Sequence, residues 1–387
     1  MIRISDAEFA ERVKKAQALM REQGIDLMFA FGNEAEPQFV RYLSDYWPSF
    51  ETAAVIFGQK GEPTLLIGPE TLTYASDRSR IKNIRQVKCL RESSNPDYPG
   101  LDMDKLENVI ESVTTGGVRK AAIAGFNIIP KIVFDEFEEA VKKFGDVKIV
   151  RGDELIMELR MIKTPDELAC MRKAAEITVA AMDFTIDNIK PGMTEHQVRG
   201  LGLRAIYERG GENEAFAFWS TAGEGSNQAI SRTRSKIIEK EDFVHIGVSA
   251  RYEGYVAIIG RSVFIGKQIP WIADAIKAGY EAQIAIMAEL YAGNNAGNVA
   301  KAHMAALART GHDDMPLYGP CHATGLMEGE PPWIETGSDY PLRENMCFCT
   351  CLFLSRGAYG LRVEDSMRVG EKRAESLTNY PREIFVR

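Results

Sequence analysis

The sequence predicts an α/β (α+β) protein of two domains, a small N-terminal α/β domain over residues 1–152 and a larger C-terminal domain over residues 153–387. The chain has 387 residues, which is too long for one ordinary hydrophobic core. Strand-like and helix-like segments alternate through roughly the first 150 residues, as in α/β domains. Strand patterns dominate the end of the chain instead, which indicates a second arrangement.

The N-terminal domain begins with an amphipathic helix pattern over residues 5–24, and Gly24 is its stop signal. Alternating strands and helices follow, which favours a mostly parallel or mixed sheet. Strands are predicted at residues 26–30, 53–57, 64–68, 87–90, 121–124 and 147–150, a turn at 58–61, and helices near 102–113 and 131–143.

The C-terminal domain begins with two helices that carry clear start signals. Thr164 is a suitable N-cap, and Pro165 follows at the first helical position. Thr194 and Gln197 have the spacing of a capping box, which predicts the start of the second helix. Beyond them the pattern predicts strands at 215–219, 243–247 and 254–265 and helices at 272–292 and 296–310.

Composition excludes several classes of partner. The formal net charge is −8 and no basic run is present, so nucleic acids and anionic membrane surfaces are poor partners. No signal-peptide pattern or apolar run of transmembrane length occurs. Six cysteines, three of them on alternate positions of one strand, do not form a disulfide framework. We therefore expect a cytoplasmic protein without membrane or nucleic-acid partners.

Residues 318–365 contain the candidate site. His322 lies in a loop rich in glycine and proline, and Arg362 and Glu364 share one face of a short predicted strand. Another predicted strand places three thiols on one face: Cys347, Cys349 and Cys351. An imidazole, thiols, a guanidinium and a carboxylate that converge on a sheet predict a functional site. The alternative is that the cysteines are small apolar residues that fill a core face.

Five segments of the chain, taken in order, resemble one known family. They read LRMIKTPDELACMRKAAEIT, IKPGMTEHQV, RYEGY followed by GRS, HATGL followed by EPP, and GLRVEDSMRV. In this order and spacing the chain resembles the creatinase, prolidase and aminopeptidase P family over essentially its whole length. The resemblance implies an N-terminal creatinase/prolidase-like domain and a pita-bread catalytic domain. It also implies a small-molecule substrate and a homodimer in which the small domain of one subunit covers the neighbour's active site.

The resemblance also implies which residues would bind metal, and most of them are replaced. Peptidases of this family hold two metal ions with two Asp, one His and two Glu. The Asp positions correspond to Gly247 and Ile258 and one Glu position to Cys351, whereas His322 and Glu364 are kept. Two hard cations need several oxygen donors, so we expect no metal pair and no cofactor. The creatinase acid/base residues are absent too, because their positions correspond to Asn227 and Gly260.

Three interpretations of Cys351, His322 and Glu364 remain open. Cys351 is a thiolate nucleophile assisted by His322, or the three side chains bind one zinc ion, or Cys351 only fills space. Glu330 is an alternative general acid or base. The residues expected to bind substrate are Arg362, Arg261, Tyr255, Trp219 and Cys349. Without metal charge, an arginine among them would be able to bind an anionic group.

The leading functional hypothesis is metal-independent, creatinase-like hydrolysis, or a related lyase reaction. Its substrate would be the C–N bond of a small polar amide, amidine or amino-acid-like compound. A catalytically silent pita-bread binding protein is the rival from another class. An Xaa-Pro dipeptidase or aminopeptidase P-type metallopeptidase is the third hypothesis.

Overall fold

The structure is a computed structural model that describes residues 2–387. It divides into two compact units, Ile4–Arg160 and Met161–Arg387, and residues 2–3 belong to the second unit. The predicted boundary between residues 152 and 153 differs from this division, because residues 153–160 of the helix Asp153–Met161 belong to the first unit. No helix in the described part of the chain combines the length and the apolar character needed to cross a membrane.

The N-terminal unit is built on a six-stranded mixed sheet. Its elements are α1 Asp6–Glu22, β1 Leu27–Gly32, α2 Gln38–Ser44, β2 Ala53–Gly58, β3 Thr64–Ile67, α3 Leu72–Arg78, β4 Ile84–Gln86, the 3₁₀ helix Lys88–Leu90, α4 Leu106–Val113, β5 Lys120–Ala124, α5 Lys131–Lys142, β6 Lys148–Arg151 and α6 Asp153–Met161. The strand order is β4-β3-β2-β1-β5-β6. The pairs β1–β2 and β2–β3 are antiparallel and the others are parallel, which confirms the mixed sheet.

Most predicted elements of this unit are present, with differences that have local causes. The predicted strand at residues 87–90 is wrong, because Lys88–Leu90 forms a 3₁₀ helix and the paired strand precedes it. The sequence did not predict α2 and α3. Each has seven residues, which is too short for a helical period to be recognised.

The C-terminal unit contains a ten-stranded sheet and four helices. Its elements are α7 Pro165–Asn188, α8 Glu195–Glu208, β7 Asn213–Glu214, β8 Trp219–Ala222, β9 Phe243–Tyr252, β10 Tyr255–Phe264, α9 Pro270–Glu289, α10 Ala296–Thr310, β11 Cys321–Ala323, β12 Glu330–Ile334, β13 Cys347–Arg356, β14 Tyr359–Arg368, β15 Glu375–Ser376 and β16 Phe385–Val386. The main path of the sheet is β12-β11-β13-β14-β10-β9-β7, and β8, β15 and β16 pair beside it.

The predicted N-cap Thr164 and the predicted capping box at Thr194 are both confirmed. The Thr164 hydroxyl accepts a hydrogen bond from the Glu167 amide at the start of α7, and Thr194 caps Gln197 in the same way at the start of α8. The predicted strand at residues 215–219 is wrong, because β8 begins only at Trp219.

One face of the C-terminal sheet is covered by helices, and the other carries the candidate site residues. Helices α7 and α8 pack on the half formed by β9 and β10, and their core includes Ile246, Val248 and Ile259. Helices α9 and α10 pack on the half formed by β13 and β14, and their core includes Leu352 and Val363. Neighbouring residues along a strand point to opposite faces. The residues between these core positions therefore lie on the other face, which we call the site face.

Candidate functional site

Strand register places the site residues in one row across the sheet. Gly247 of β9 pairs with Gly260 of β10, and Gly260 pairs with Glu364 of β14. Glu364 in turn pairs with Cys351 of β13, so these positions point to the same face. On the next strand, His322 pairs with Cys349, which lies two residues from Cys351. The period-2 prediction that Cys347, Cys349 and Cys351 share a strand face is confirmed.

Cys351, Glu364 and Arg362 form a buried contact chain at the centre of this row. The Cys351 Sγ lies 3.1 Å from Oε1 of Glu364. The same carboxyl oxygen accepts a hydrogen bond of 2.5 Å from the Arg362 guanidinium, and both side chains are about 1% exposed. Arg362 also donates to the Ala229 carbonyl, and its guanidinium lies 3.8 Å from the centre of the Trp219 ring. Arg362 therefore supplies the positive charge beside Glu364.

His322 lies at the other side of the cysteine pair. Its Nδ1 donates to the Ala323 carbonyl at 3.1 Å, and its Nε2 lies 3.3 Å from a carboxylate oxygen of Glu328. Ligating atoms of His322, Cys349 and Cys351 all lie within 4.8 Å of one another. The structure thus brings the imidazole and two thiols into one buried cluster.

The surroundings of the cluster shift the pKa values of its members in different directions. A hydrogen bond from the Cys349 thiol lowers the pKa of Cys351 well below its usual value, against burial and with help from His322. Burial disfavours the His322 imidazolium, but hydrogen bonds to Cys351 and Glu328 outweigh it and raise the His322 pKa. Burial raises the pKa of Glu364 despite the neighbouring Arg362. Burial therefore opposes the charged form of Glu364, whereas Cys349 and His322 favour the thiolate form of Cys351.

The other half of the site face, on β9 and β10, carries no acidic side chain. A β-carbon added to Gly247 would lie 2.8 Å from Cε3 of Trp219, so the indole occupies the space into which a side chain would project. The Trp219 ring stacks on Phe216 at 4.0 Å between centroids. Ile258 is fully buried and packs against Cys349 and Cys351. These positions offer no oxygen donor and no room for one, so the residues present do not fit a pair of hard cations.

The structure does not bring every expected substrate residue to the site. Arg261 pairs with Asp365 at 3.0 Å and lies beside Tyr280 of α9, on the face covered by helices. The Tyr255 hydroxyl donates to Glu167 of α7 at 2.7 Å, on that same face. Both residues alternate out of register with Ile258, which is why they point away from the site.

Three of the other predicted site residues lie on the site face, and a fourth, Glu330, lies in an ion pair. Trp219, Arg362 and Cys349 lie on the site face, as described above. Glu330 forms a buried ion pair with Lys163 at 3.6 Å. This pairing gives the Glu330 carboxylate a structural partner and argues against its use as a general acid or base.

The structure adds residues to the site that the sequence reasoning did not assign to it. The Tyr318 hydroxyl lies 3.4 Å from the Cys351 Sγ, and burial raises the pKa of this phenol, which keeps it protonated. Glu328 contacts His322. The available signal was the family resemblance, which implies that Tyr318 stands at the position of a histidine of the peptidases.

Several buried polar atoms of the site face have no hydrogen-bond partner among the described residues. They are Oγ of Ser249, Oγ of Ser262, Nδ1 of His245, Nε of Arg362 and Oε2 of Glu364. Buried polar groups in proteins are usually hydrogen-bonded, so these atoms provide capacity for a polar ligand.

Comparison with known proteins gives matches along the chain. The profile described as Metallopeptidase family M24 matches residues 169–371, and the profile described as Creatinase/Prolidase N-terminal domain matches residues 12–162. An Xaa-Pro dipeptidase from Pyrococcus furiosus is 24% identical over 382 residues, covering 97% of this chain and 99% of the relative. These matches confirm the resemblance drawn from the motifs.

Solved structures show the same fold. An X-Pro aminopeptidase from Thermotoga maritima MSB8 superposes with a TM-score of 0.82 at 23% identity, covering 97% of this chain and 99% of that chain. The prolidase from Pyrococcus horikoshii OT3 gives a TM-score of 0.80 at 22% identity, with coverages of 97% and 99%. The likeness confirms the expected fold, a small creatinase/prolidase-like domain followed by a pita-bread domain.

Proposed function

The chain belongs to metallopeptidase family M24, a family of hydrolases that cleave C–N bonds, and we propose that it hydrolyses the C–N bond of an Xaa-Pro dipeptide or a similarly small peptide-like compound without a pair of metal ions. One observation carries the proposal. Cys351 and Glu364 lie in contact beside His322 on a face where Gly247 and Ile258 replace the oxygen donors of a metal pair.

The relatives support a peptide-like substrate. The Pyrococcus furiosus protein that this chain matches almost end to end is named an Xaa-Pro dipeptidase. This relationship favours a dipeptide over the amide or amidine that the sequence alone suggested. The unpartnered guanidinium nitrogen of Arg362 would donate to a polar group of such a substrate.

In the proposed reaction Cys351 is the nucleophile. Its sulfur attacks the carbonyl carbon of the scissile bond, and His322 donates a proton to the departing amine. The C–N bond breaks and a thioester remains on Cys351. Water then attacks the thioester while His322 accepts a proton from it, which releases the acid and restores the Cys351 thiolate beside protonated His322. Tyr318 donates a hydrogen bond to the sulfur and holds it in position.

A two-metal Xaa-Pro dipeptidase reaction is the second candidate, because the names of the relatives favour it. The donor set argues against it in this chain. Only His322 and Glu364 remain of the ligands that the resemblance implies. Ile258 fills one lost position, and Trp219 closes the space beside Gly247.

The test compares the chelator-treated protein with its variants on Xaa-Pro dipeptides and small amides. We expect turnover to survive removal of metal and to disappear in the Cys351→Ser variant. The Cys347→Ser variant is the matched control, because Cys347 lies on the same strand face outside the cluster.

Two results would count against the proposal. Activity that is lost on chelation and returns with two equivalents of manganese or cobalt would establish the two-metal reaction instead. Binding of a dipeptide without turnover, under all of these conditions, would establish the silent binding protein.

Assembly and location are part of the proposal. We propose a homodimer, because the resemblance implies that the small domain of one subunit covers the site of the other. Light scattering that gives a mass near 43.1 kDa, that of one chain, would contradict it. A cytoplasmic location is supported by six free, buried cysteines, which suit a reducing compartment.

A further inference from the structure

We propose that His322, Cys349 and Cys351 form a binding site for one thiophilic divalent cation, with zinc as the best match. This site would replace the pair of hard cations with a single soft one. The two thiols and the imidazole are the donors that zinc prefers in proteins.

The backbone places these three donors together. Cys349 and His322 are directly opposed on β13 and β11, and Cys351 follows Cys349 on the same strand face. The side chains converge until their ligating atoms lie within 4.8 Å of one another. Such convergence needs two strands, β11 and β13, in register, so it is a property of the sheet and not of a flexible loop.

The orientation of His322 suits coordination. Its Nδ1 donates to the Ala323 carbonyl at 3.1 Å, which fixes the ring and leaves Nε2 as the ligating nitrogen. Metal-binding histidines commonly use this arrangement, in which the second nitrogen donates to a backbone carbonyl. Glu328 contacts Nε2 at 3.3 Å and would give way to the cation.

A fourth donor lies next to the cluster. Glu364 is about 1% exposed, and its Oε2 has no hydrogen-bond partner among the described residues. Its other oxygen is already 3.1 Å from the Cys351 Sγ. Glu364 lies outside the group whose ligating atoms are all within 4.8 Å of one another, so its carboxylate would have to rotate toward the cation to become the fourth ligand that zinc prefers.

Occupation of the site would have a functional consequence. A cation that binds Cys351 removes its sulfur from reaction, so zinc would inhibit the hydrolysis. This consequence rests on the proposed function, whereas the binding itself does not. Zinc would then act as a reversible inhibitor of a reaction that needs no metal.

The test is a titration of the full-length, chelator-treated protein with Co²⁺, followed by displacement with Zn²⁺. We expect one equivalent to bind and to give a thiolate-to-cobalt charge-transfer band with intense tetrahedral visible bands. Loss of a residue that only supports a metal ligand weakens binding by ~10–100-fold. Because Cys349 is proposed as a ligand itself, the Cys349→Ser variant should lose more zinc affinity than that. The Cys347→Ser control should bind normally.

A second measurement needs no variant. Zinc should protect Cys349 and Cys351 of the native protein from iodoacetamide, and it should leave labelling of Cys89 in the N-terminal unit unchanged, as read by mass spectrometry. A weak octahedral cobalt spectrum, equal affinity in the Cys349→Ser variant, or no protection would overturn the proposal.

The same experiments separate this inference from the proposed function. If one zinc binds as described and raises turnover, the metal site stands and the metal-free thiolate reaction fails. If the chelator-treated enzyme is active and zinc neither binds nor protects, the reaction stands and the metal site fails.

Discussion

The two halves of the site face have opposite chemistry although they share one row of the sheet. The half on β13, β14 and β11 keeps titratable groups, and Arg362 balances Glu364 at 2.5 Å. The half on β9 and β10 carries no acidic side chain, with Ile258 packed against the cysteines and Trp219 against Gly247. The difference shows how one sheet face combines a buried, paired carboxylate with neighbouring strands that carry no acidic side chain.

The reason lies in the cost of buried charge. In the family the four ligand carboxylates are balanced by two divalent cations, and without cations those carboxylates would be buried without partners. This chain retains one of the four, Glu364, and pairs it with one guanidinium. The remaining space is filled by apolar contacts, which need no counter-charge.

The largest expected effect comes from breaking the charge balance of the polar half. We expect Arg362→Met to lower the free energy of unfolding by about 3–5 kcal/mol, because Glu364 would lose its buried partner. Urea unfolding measures the loss. The control is Arg261→Met, which breaks a buried pair with Asp365 on the helix-covered face; Asp365 keeps Arg382 at 3.3 Å, so the expected loss of stability is smaller.

Only the first of these variants should change the rate at which Cys351 reacts with iodoacetamide. Equal changes in both variants would mean that the two faces are not independent.

A second prediction compares two buried histidines. His322 has partners that raise its pKa, whereas His303 of α10 has no partner for either ring nitrogen, and burial lowers its pKa to about 4 from 6.5. Between these pH values the unfolded chain binds a proton that the folded protein does not. The contribution of neutral His303 to the free energy of unfolding is therefore fully present above pH 6.5. It falls by roughly 3 kcal/mol as the pH drops toward 4.

Urea unfolding across this pH range measures the dependence, and His303→Leu should flatten it. His245, whose pKa burial lowers to about 3, remains in both proteins and adds the same slope to each. Identical slopes for the two proteins would show that His303 is not the group that titrates.

A third prediction concerns the close packing at Gly247. The added methyl group of Gly247→Ala would lie 2.8 Å from the Trp219 ring, so we expect a loss of about 1–3 kcal/mol from overpacking. Gly200→Ala is the control, because nothing lies within 4 Å of its added methyl group and alanine favours the helix α8. If Gly247→Ala leaves the free energy of unfolding unchanged, Trp219 moves aside readily, which would leave room for a metal-binding side chain.

The smallest effect is expected at Ile258. Ile258→Val should cost only about 0.5–1.5 kcal/mol, the usual cost of removing one buried methylene. Denaturant midpoints measure the change, and the labelling rate of Cys351 should stay as in the native protein. A large change in that rate would indicate that the half on β9 and β10 controls the reactive half.

Local signals determined much of the fold. The hydroxyl caps Thr164 and Thr194, each followed by a suitable residue three positions later, identified the starts of two helices. Alternation along β13 identified which cysteines share a face. These features depend on neighbours in the chain, so the sequence contains them directly. The 3₁₀ helix Lys88–Leu90 was not predicted, because a segment of three or four residues suits either a strand or a helical turn.

For the candidate site too, some features follow from the sequence and others only from the tertiary structure. From the sequence alone, the resemblance implies that His322, Cys351 and Glu364 stand at ligand positions and that Gly247 and Ile258 replace two donors. Only the tertiary structure decided which side chains meet, because register between distant strands sets that. It opposed Cys349 to His322, turned Arg261 and Tyr255 to the other face, and placed Trp219 beside Gly247. A shift of one residue in register reverses every side chain, and no local pattern specifies it across such separations.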